Sequence, residues 1–149
     1  MAFVLLHTGC SRRQAFGTSK PLKPIFDVPE LVHKNIDQLN ALLSTSTQQD
    51  IPLPAIVLAN GYTTRERSFR QDTLTLFVTY NEQTRKVFHV FLTTDHQRVA
   101  DVTPLMQLGN LEGNYPRLLI EPKVIQDAGY AYRGIWVCTK KQDVQLKQY

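Results

Sequence analysis

The clearest alternation of apolar and polar residues in the chain runs from Thr73 to Tyr80, TLTLFVTY. Leu74, Leu76, Val78 and Tyr80 fall on one side of it, Thr73, Thr75 and Thr79 on the other. Successive side chains of an extended strand point to opposite faces, so this period of two predicts a half-buried strand. Lys86 to Thr94 (KVFHVFLTT) repeats the pattern with Phe88, Val90 and Leu92 on one face, and the polar residues Asn81 to Arg85 between them supply a turn. The two segments therefore read as an antiparallel hairpin. Upstream the period changes. Ile36, Leu39, Leu42 and Leu43 recur at helical spacing with Asp37, Gln38 and Asn40 on the other side, and Asn35 and Gln38 stand at the spacing of a capping box. This predicts an amphipathic helix laid on an apolar surface. A shorter helical turn is expected at Asp27 to Glu30, with Asp27 as its cap and Pro29 in its first turn.

The remaining segments carry weaker patterns. Ser44 to Asp50 is polar and is followed by Pro52 and Pro54, which reads as a loop. Ala55 to Leu58 reads as a short strand ending at Asn60-Gly61, and the charged stretch Tyr62 to Asp72 as a loop with an extended end. Thr103-Pro104 opens a short helix, Leu105 to Leu108, that Gly109 can end. Tyr115 to Pro122 and Tyr132 to Thr139 read as two further strands, joined by a turn-rich segment around Asp127 to Gly129. The expected fold is α+β, an N-terminal helix packed on an antiparallel meander sheet of about four strands, with a second short helix. At 149 residues and 42% hydrophobic content the chain suits one globular domain. Residues 25–141 are expected to form it, residues 1–24 a tether and residues 142–149 a polar tail.

Charge and candidate chemistry narrow the function. Lys and Arg exceed Asp and Glu by 17 to 13, and the basic residues are spread in small groups such as Arg12-Arg13, Arg65/Arg67/Arg70 and Lys140-Lys141. A nucleic-acid binder concentrates its charge on one stripe, so nucleic acid is disfavoured as a partner. The two cysteines, Cys10 and Cys138, support neither a disulfide framework nor a zinc site, and Cys138 reads as a small buried thiol. His96 follows Asp95 without a third ligand nearby, His89 reads as a half-buried strand residue, and neither argues for a metal. Gly109-Asn110-Leu111-Glu112-Gly113 reads as a helix stop and turn rather than a phosphate loop. Nucleophile-elbow, Walker, dinucleotide and zinc-protease patterns do not occur, and the expectation is a protein without catalytic residues, cofactor or metal.

The first residues raise a different possibility. Phe3 to Arg13, FVLLHTGCSRR, places Thr8-Gly9 before Cys10, as at the cleavage site of a bacterial lipoprotein signal, whose cysteine takes the lipid. Ser11 to Pro24 then reads as a tether. No basic residue precedes the short apolar run, and His7 interrupts it, so the chain is expected to start inside such a signal. The competing reading is a chance cysteine in an N-terminal segment. On the hairpin, Phe77 and Phe91 fall on the face opposite the main apolar one, together with His89. A sheet covered by helices on one side keeps its other side polar, so Phe77, His89 and Phe91 are the candidate partner-binding residues. The competing reading is cover by the N-terminal segment or by the 55–72 stretch.

A resemblance rests on Phe26-Asp27-Val28-Pro29-Glu30-Leu31-Val32, Lys34-Asn35-Ile36-Asp37-Gln38-Leu39, Leu76-Phe77-Val78-Thr79-Tyr80, Arg85-Lys86-Val87-Phe88, Gly109-Asn110-Leu111 and Arg133-Gly134-Ile135-Trp136-Val137. Across Phe26 to Val137 the chain resembles a family of small, uncharacterised bacterial lipoproteins. Members carry a signal ending in cysteine, a glycine at the place of His33, and Leu-Gly-x-Pro where this chain has Leu43-Ser44. More distantly, it is similar to small outer-membrane-assembly lipoproteins and to β-lactamase-inhibitor-like modules. The resemblance implies lipid attachment at Cys10, a place in the cell envelope and binding of another envelope protein, with no catalytic residues to transfer. The alternative is a soluble cytosolic protein, either an enzyme or a nucleic-acid-associated factor.

Overall fold

The two alternating segments pair as expected, but they form the middle of a larger sheet. The computed structural model describes residues 20–52, 56–57, 61–95, 100–124 and 132–141. Among the described residues the strands are β1 (Thr47–Asp50), β2 (Ile56–Val57), β3 (Thr63–Gln71), β4 (Leu74–Asn81), β5 (Val87–Thr94), β6 (Leu118–Val124) and β7 (Tyr132–Thr139). Three short helices among the described residues accompany them: α1 (Val28–Leu31), α2 (Ile36–Leu42) and α3 (Thr103–Leu108). The strand order is β1-β3-β4-β5-β7-β6, with β2 also paired to β3, and every pairing is antiparallel. The expected N-terminal helix on a meander of about four strands is therefore incorrect. The molecule is mainly sheet, and β7 enters between β5 and β6 instead of following β6 at the edge. Cys10, most of the expected tether and the tail 142–149 lie outside the described residues.

The largest error falls on β3, which the sequence presents as a charged loop. Directly opposed residues of an antiparallel pair share a face. Arg65, Arg67, Phe69 and Gln71 stand opposite Tyr80, Val78, Leu76 and Leu74, so they share the apolar face of β4. Of these four only Phe69 is apolar, and it is completely buried. Arg67 keeps its place on that face through polar partners on two elements. Its Nε donates to Asp50 Oδ1 of β1 at 2.6 Å, and its Nη1 donates to Asn40 Oδ1 of α2 at 2.7 Å. A long arginine stem can cover apolar surface while its head finds acceptors, which is why this strand shows no alternation of apolar residues. β1, Thr-Gln-Gln-Asp, was expected as loop and is exposed throughout; its place on the sheet edge comes from backbone pairing with β3.

One apolar cluster joins this face to the helices. Val28 and Leu31 of α1, Ile36 and Leu39 of α2 and Leu105 of α3 are buried with Leu74, Leu76, Val78, Val90, Leu92, Ile135 and Val137 of the sheet. The expected capping box of α2 is present: Asn35 Oδ1 accepts from the Gln38 backbone at 2.8 Å, and Gln38 Oε1 from the Asn35 backbone at 3.0 Å. Leu43, at the C-cap, turns inward, whereas Leu42 is 57% exposed. Asp27 does not cap α1 with its side chain; it accepts from Asn110 Nδ2 at 3.0 Å and so ties the start of α1 to the end of α3. Gly109 ends α3 as expected, and a Cβ there would stand 2.6 Å from a methyl of the buried Leu92, so a side chain at this position would have to displace Leu92.

The hairpin turn holds α2 in place. Arg85 Nε and Nη2 donate to the two Asp37 carboxylate oxygens at 3.2 and 2.7 Å, and the Arg85 carbonyl accepts from the Ile36 amide at 3.0 Å. The guanidinium beside it holds the Asp37 carboxyl below its ordinary value, first through this hydrogen bond. One detail of β5 also departs from expectation. A bulge between Thr79 and Tyr80 sets Val87 opposite Tyr80, so Val87 takes the buried place assigned to Phe88, which is half-buried.

Phe69→Ala is expected to lower stability by about 3–5 kcal/mol, the range for deleting a buried aromatic side chain. Denaturant unfolding monitored by circular dichroism measures it. A loss below about 1 kcal/mol, the level of an ordinary surface substitution, would mean that β3 is not a core strand.

Candidate functional site

Cross-strand pairing builds two rows on the face turned away from the helices. In one, Ser68, Phe77, Phe91, Trp136 and Glu121 follow one another across β3, β4, β5, β7 and β6. In the next, Glu66, Thr79, His89, Cys138 and Leu119 do the same. Phe77, His89 and Phe91 thus share one surface, as the hairpin pattern implied. The 63–71 stretch runs beside them in the plane of the sheet as β3 and does not cross them. Residues 1–19 lie outside the described set.

Together these side chains line an open trough of about 480 Å³. Phe77, Phe91, His89 and Trp136 are half-buried along it, and Glu66, Lys123 and Arg133 complete its lining. Phe91 reaches its position because β7 has Gly134 beside it: a Cβ on Gly134 would stand 2.5 Å from the Phe91 ring and 2.5 Å from the Leu92 carbonyl oxygen. An aromatic ring lying over a strand glycine fills the space that the missing side chain leaves. Lys123 Nζ lies 5.2 Å from the centre of the Trp136 ring and is ion-paired to Glu121.

A polar chain crosses the second row. Thr79 Oγ1 lies 3.4 Å from Glu66 Oε2 and 3.1 Å from His89 Nε2. An ionised carboxylate only accepts, so Thr79 gives its hydroxyl proton to Glu66 and must accept from His89. That assigns the proton of His89 to Nε2 and leaves Nδ1 as a bare acceptor. Nδ1 is buried without a hydrogen-bond partner among the described residues. The ring packs at 5.3 Å and 44° against Trp136. Burial lowers the His89 pKa from its ordinary 6.5 to about 4, so the imidazole is neutral at pH 7. Burial raises that of Glu66, and the Thr79 hydrogen bond opposes the shift. One imidazole nitrogen is engaged by Thr79 and the other is sealed from solvent, so His89 presents no proton acceptor to the trough.

The other predicted positions fall elsewhere. Cys138 is fully buried in the His89 row and does not line the trough. Cys10 and His96 lie outside the described residues. Among the described residues no group of three or more His, Cys, Asp or Glu side chains could hold a metal ion. Sequence reasoning missed Glu66, Lys123, Arg133 and Trp136 as parts of the site. For Trp136 a signal existed, since it stands between Ile135 and Val137 and must face away from them. Compared with protein-family models, with curated proteins and with solved structures, the chain has no match.

The histidine gives this face a pH signature. The unfolded chain takes up the proton near pH 6.5 and the folded chain only near 4. Stability from this group is complete above pH 6.5 and is lost as pH falls toward 4, by about 3 kcal/mol as an order of magnitude. Denaturant midpoints at pH 7 and pH 4 should show this component in the wild type and its absence in His89→Phe. An identical acid loss in both proteins would show that His89 is not buried as described.

Proposed function

We propose that this chain is a non-enzymatic binding module of the cell envelope, lipid-anchored through Cys10, that holds a partner protein against the second face of its sheet. The observation that carries the reading is the trough itself. Three half-buried aromatic side chains, Phe77, Phe91 and Trp136, stand side by side on the face that the helices leave open. Grouped aromatic surface of this kind marks interaction sites.

Two further features favour protein binding over the cytosolic alternatives. His89 offers the trough no free nitrogen for proton transfer. The three β3 arginines, the densest basic group on a strand, are each ion-paired, Arg65 to Glu82, Arg67 to Asp50 and Arg70 to Asp95. Little of that charge is left to follow a phosphate backbone. No helix among the described residues is long and apolar enough to cross a membrane, and the proposed attachment rests on Cys10.

A photo-crosslinking residue at Phe77, compared with one at the exposed helix position Ala41, tests the surface in the native host. A discrete adduct in the envelope fraction from position 77, lost when Phe91→Ala is added and not formed from position 41, is expected. Equal adducts from both positions would remove the trough from the reading. Palmitate labelling tests the anchor: label on the wild type and none on Cys10→Ala is expected, and a soluble, unlabelled wild type would contradict the envelope assignment.

A further inference from the structure

Two charged members of the trough, Glu66 and Arg133, have no ion partner among the described residues, and of the two only Glu66 is withdrawn from water, Arg133 being exposed. Glu66 projects from β3 onto the aromatic face, is half-buried, and accepts only from the Thr79 hydroxyl at 3.4 Å. The arginines flanking it in sequence, Arg65 and Arg67, alternate onto the opposite face and are taken by Glu82 and Asp50. Lys123, at the far side of the trough, is already bound to Glu121. A carboxylate withdrawn from water without a cation is poorly stabilised, and a positive group arriving beside it relieves that cost.

The neighbouring rings point to the same kind of ligand. In the sheet Glu66 is diagonal to Phe77, which in turn faces Phe91. Aromatic faces attract cations through their quadrupole, and this face already holds one in that way, Lys123 over Trp136. Aromatic rings beside an unpaired carboxylate are the chemistry that recognises an ammonium or guanidinium on an apolar stem. The trough is open rather than enclosed, and a row from β3 to β7 spans about 14 Å at ordinary strand spacing. That suits a few side chains of an extended polypeptide better than a small molecule, most of whose surface a pocket must bury.

Resting on the reading of the trough as a protein-binding surface, we propose that it takes a basic segment of the partner polypeptide, with a lysine or arginine side chain lying along Phe77 to reach Glu66 and an apolar side chain seated on Phe91 and Trp136. The complementarity is local: the chain as a whole carries a formal charge of +4, which by itself would draw acidic partners.

The test is selection of displayed random dodecapeptides on the full chain, without depletion, after which each recovered peptide is titrated against the full chain and against Glu66→Gln, which keeps an acceptor for Thr79 and removes the charge. Trp136 is the only tryptophan, so its emission reports directly on the trough when tryptophan-free peptides are titrated. The peptides recovered are expected to combine Lys or Arg with an adjacent apolar residue, to shift Trp136 emission, and to bind Glu66→Gln about tenfold more weakly, the effect of roughly one charged contact. Peptides that shift Trp136 emission but show no basic bias and bind both proteins alike would overturn the cation preference and leave the trough as a binding surface. If no recovered peptide perturbs Trp136, the trough reading fails with it.

Discussion

The register between β4 and β5 is the constraint on which the two faces depend. Leu76 opposite Leu92 and Val78 opposite Val90 close the core, and in the same ladder Phe77 opposite Phe91 and Thr79 opposite His89 make the open face. With a side-chain period of two, a slip of one residue would exchange these sets, burying threonine and histidine under the helices and exposing the leucines. The many buried groups on the core side make that exchange prohibitive. The open face is therefore positioned by the packing of the opposite one. The bulge beside Tyr80 lets Val87 remain inside although the alternation of β5 alone would have chosen Phe88.

Polar side chains do the fastening where apolar surface is short. Arg85 joins the hairpin turn to the first turn of α2 through Asp37, and Arg67 joins β3 to both β1 and α2. Exposed pairs of this kind contribute little individually. Their effect is on geometry, because each links elements far apart in sequence and fixes how short helices sit on a sheet that would otherwise hold them by a few apolar contacts. Asp27 plays the same part between α1 and α3 by bonding to Asn110 instead of capping its own helix.

What could be read in the sequence follows from this division. The hairpin, the α2 capping box, α3 with its terminal glycine, and β7 all announce themselves through local spacing. β3 does not, because three of its four positions on the apolar face are Arg65, Arg67 and Gln71, and only long-range partners make an inward arginine acceptable. β1 is fully polar and exists by pairing with β3, so missing one meant missing both. The same limit applied to the site. Phe77, His89 and Phe91 were legible because they sit on one hairpin, whereas Trp136 joins them only when β7 docks beside β5, and Glu66 only when β3 docks beside β4. Gly134 carries no local sign of its role, which depends on the Phe91 ring of the neighbouring strand lying against it.

The chemistry of the open face follows from that assembly: rings from three strands, a carboxylate without a cation among the described residues, and a neutral histidine with one nitrogen bonded to Thr79 and the other buried. Its most direct measurement is the set of nuclear Overhauser contacts made by the His89 ring protons. They should reach the Trp136 indole and the Thr79 side chain, and none of the helix residues Leu31, Ile36 or Leu39. Contacts from His89 to those helix residues would place it on the core side, and the two-faced register described here would be wrong.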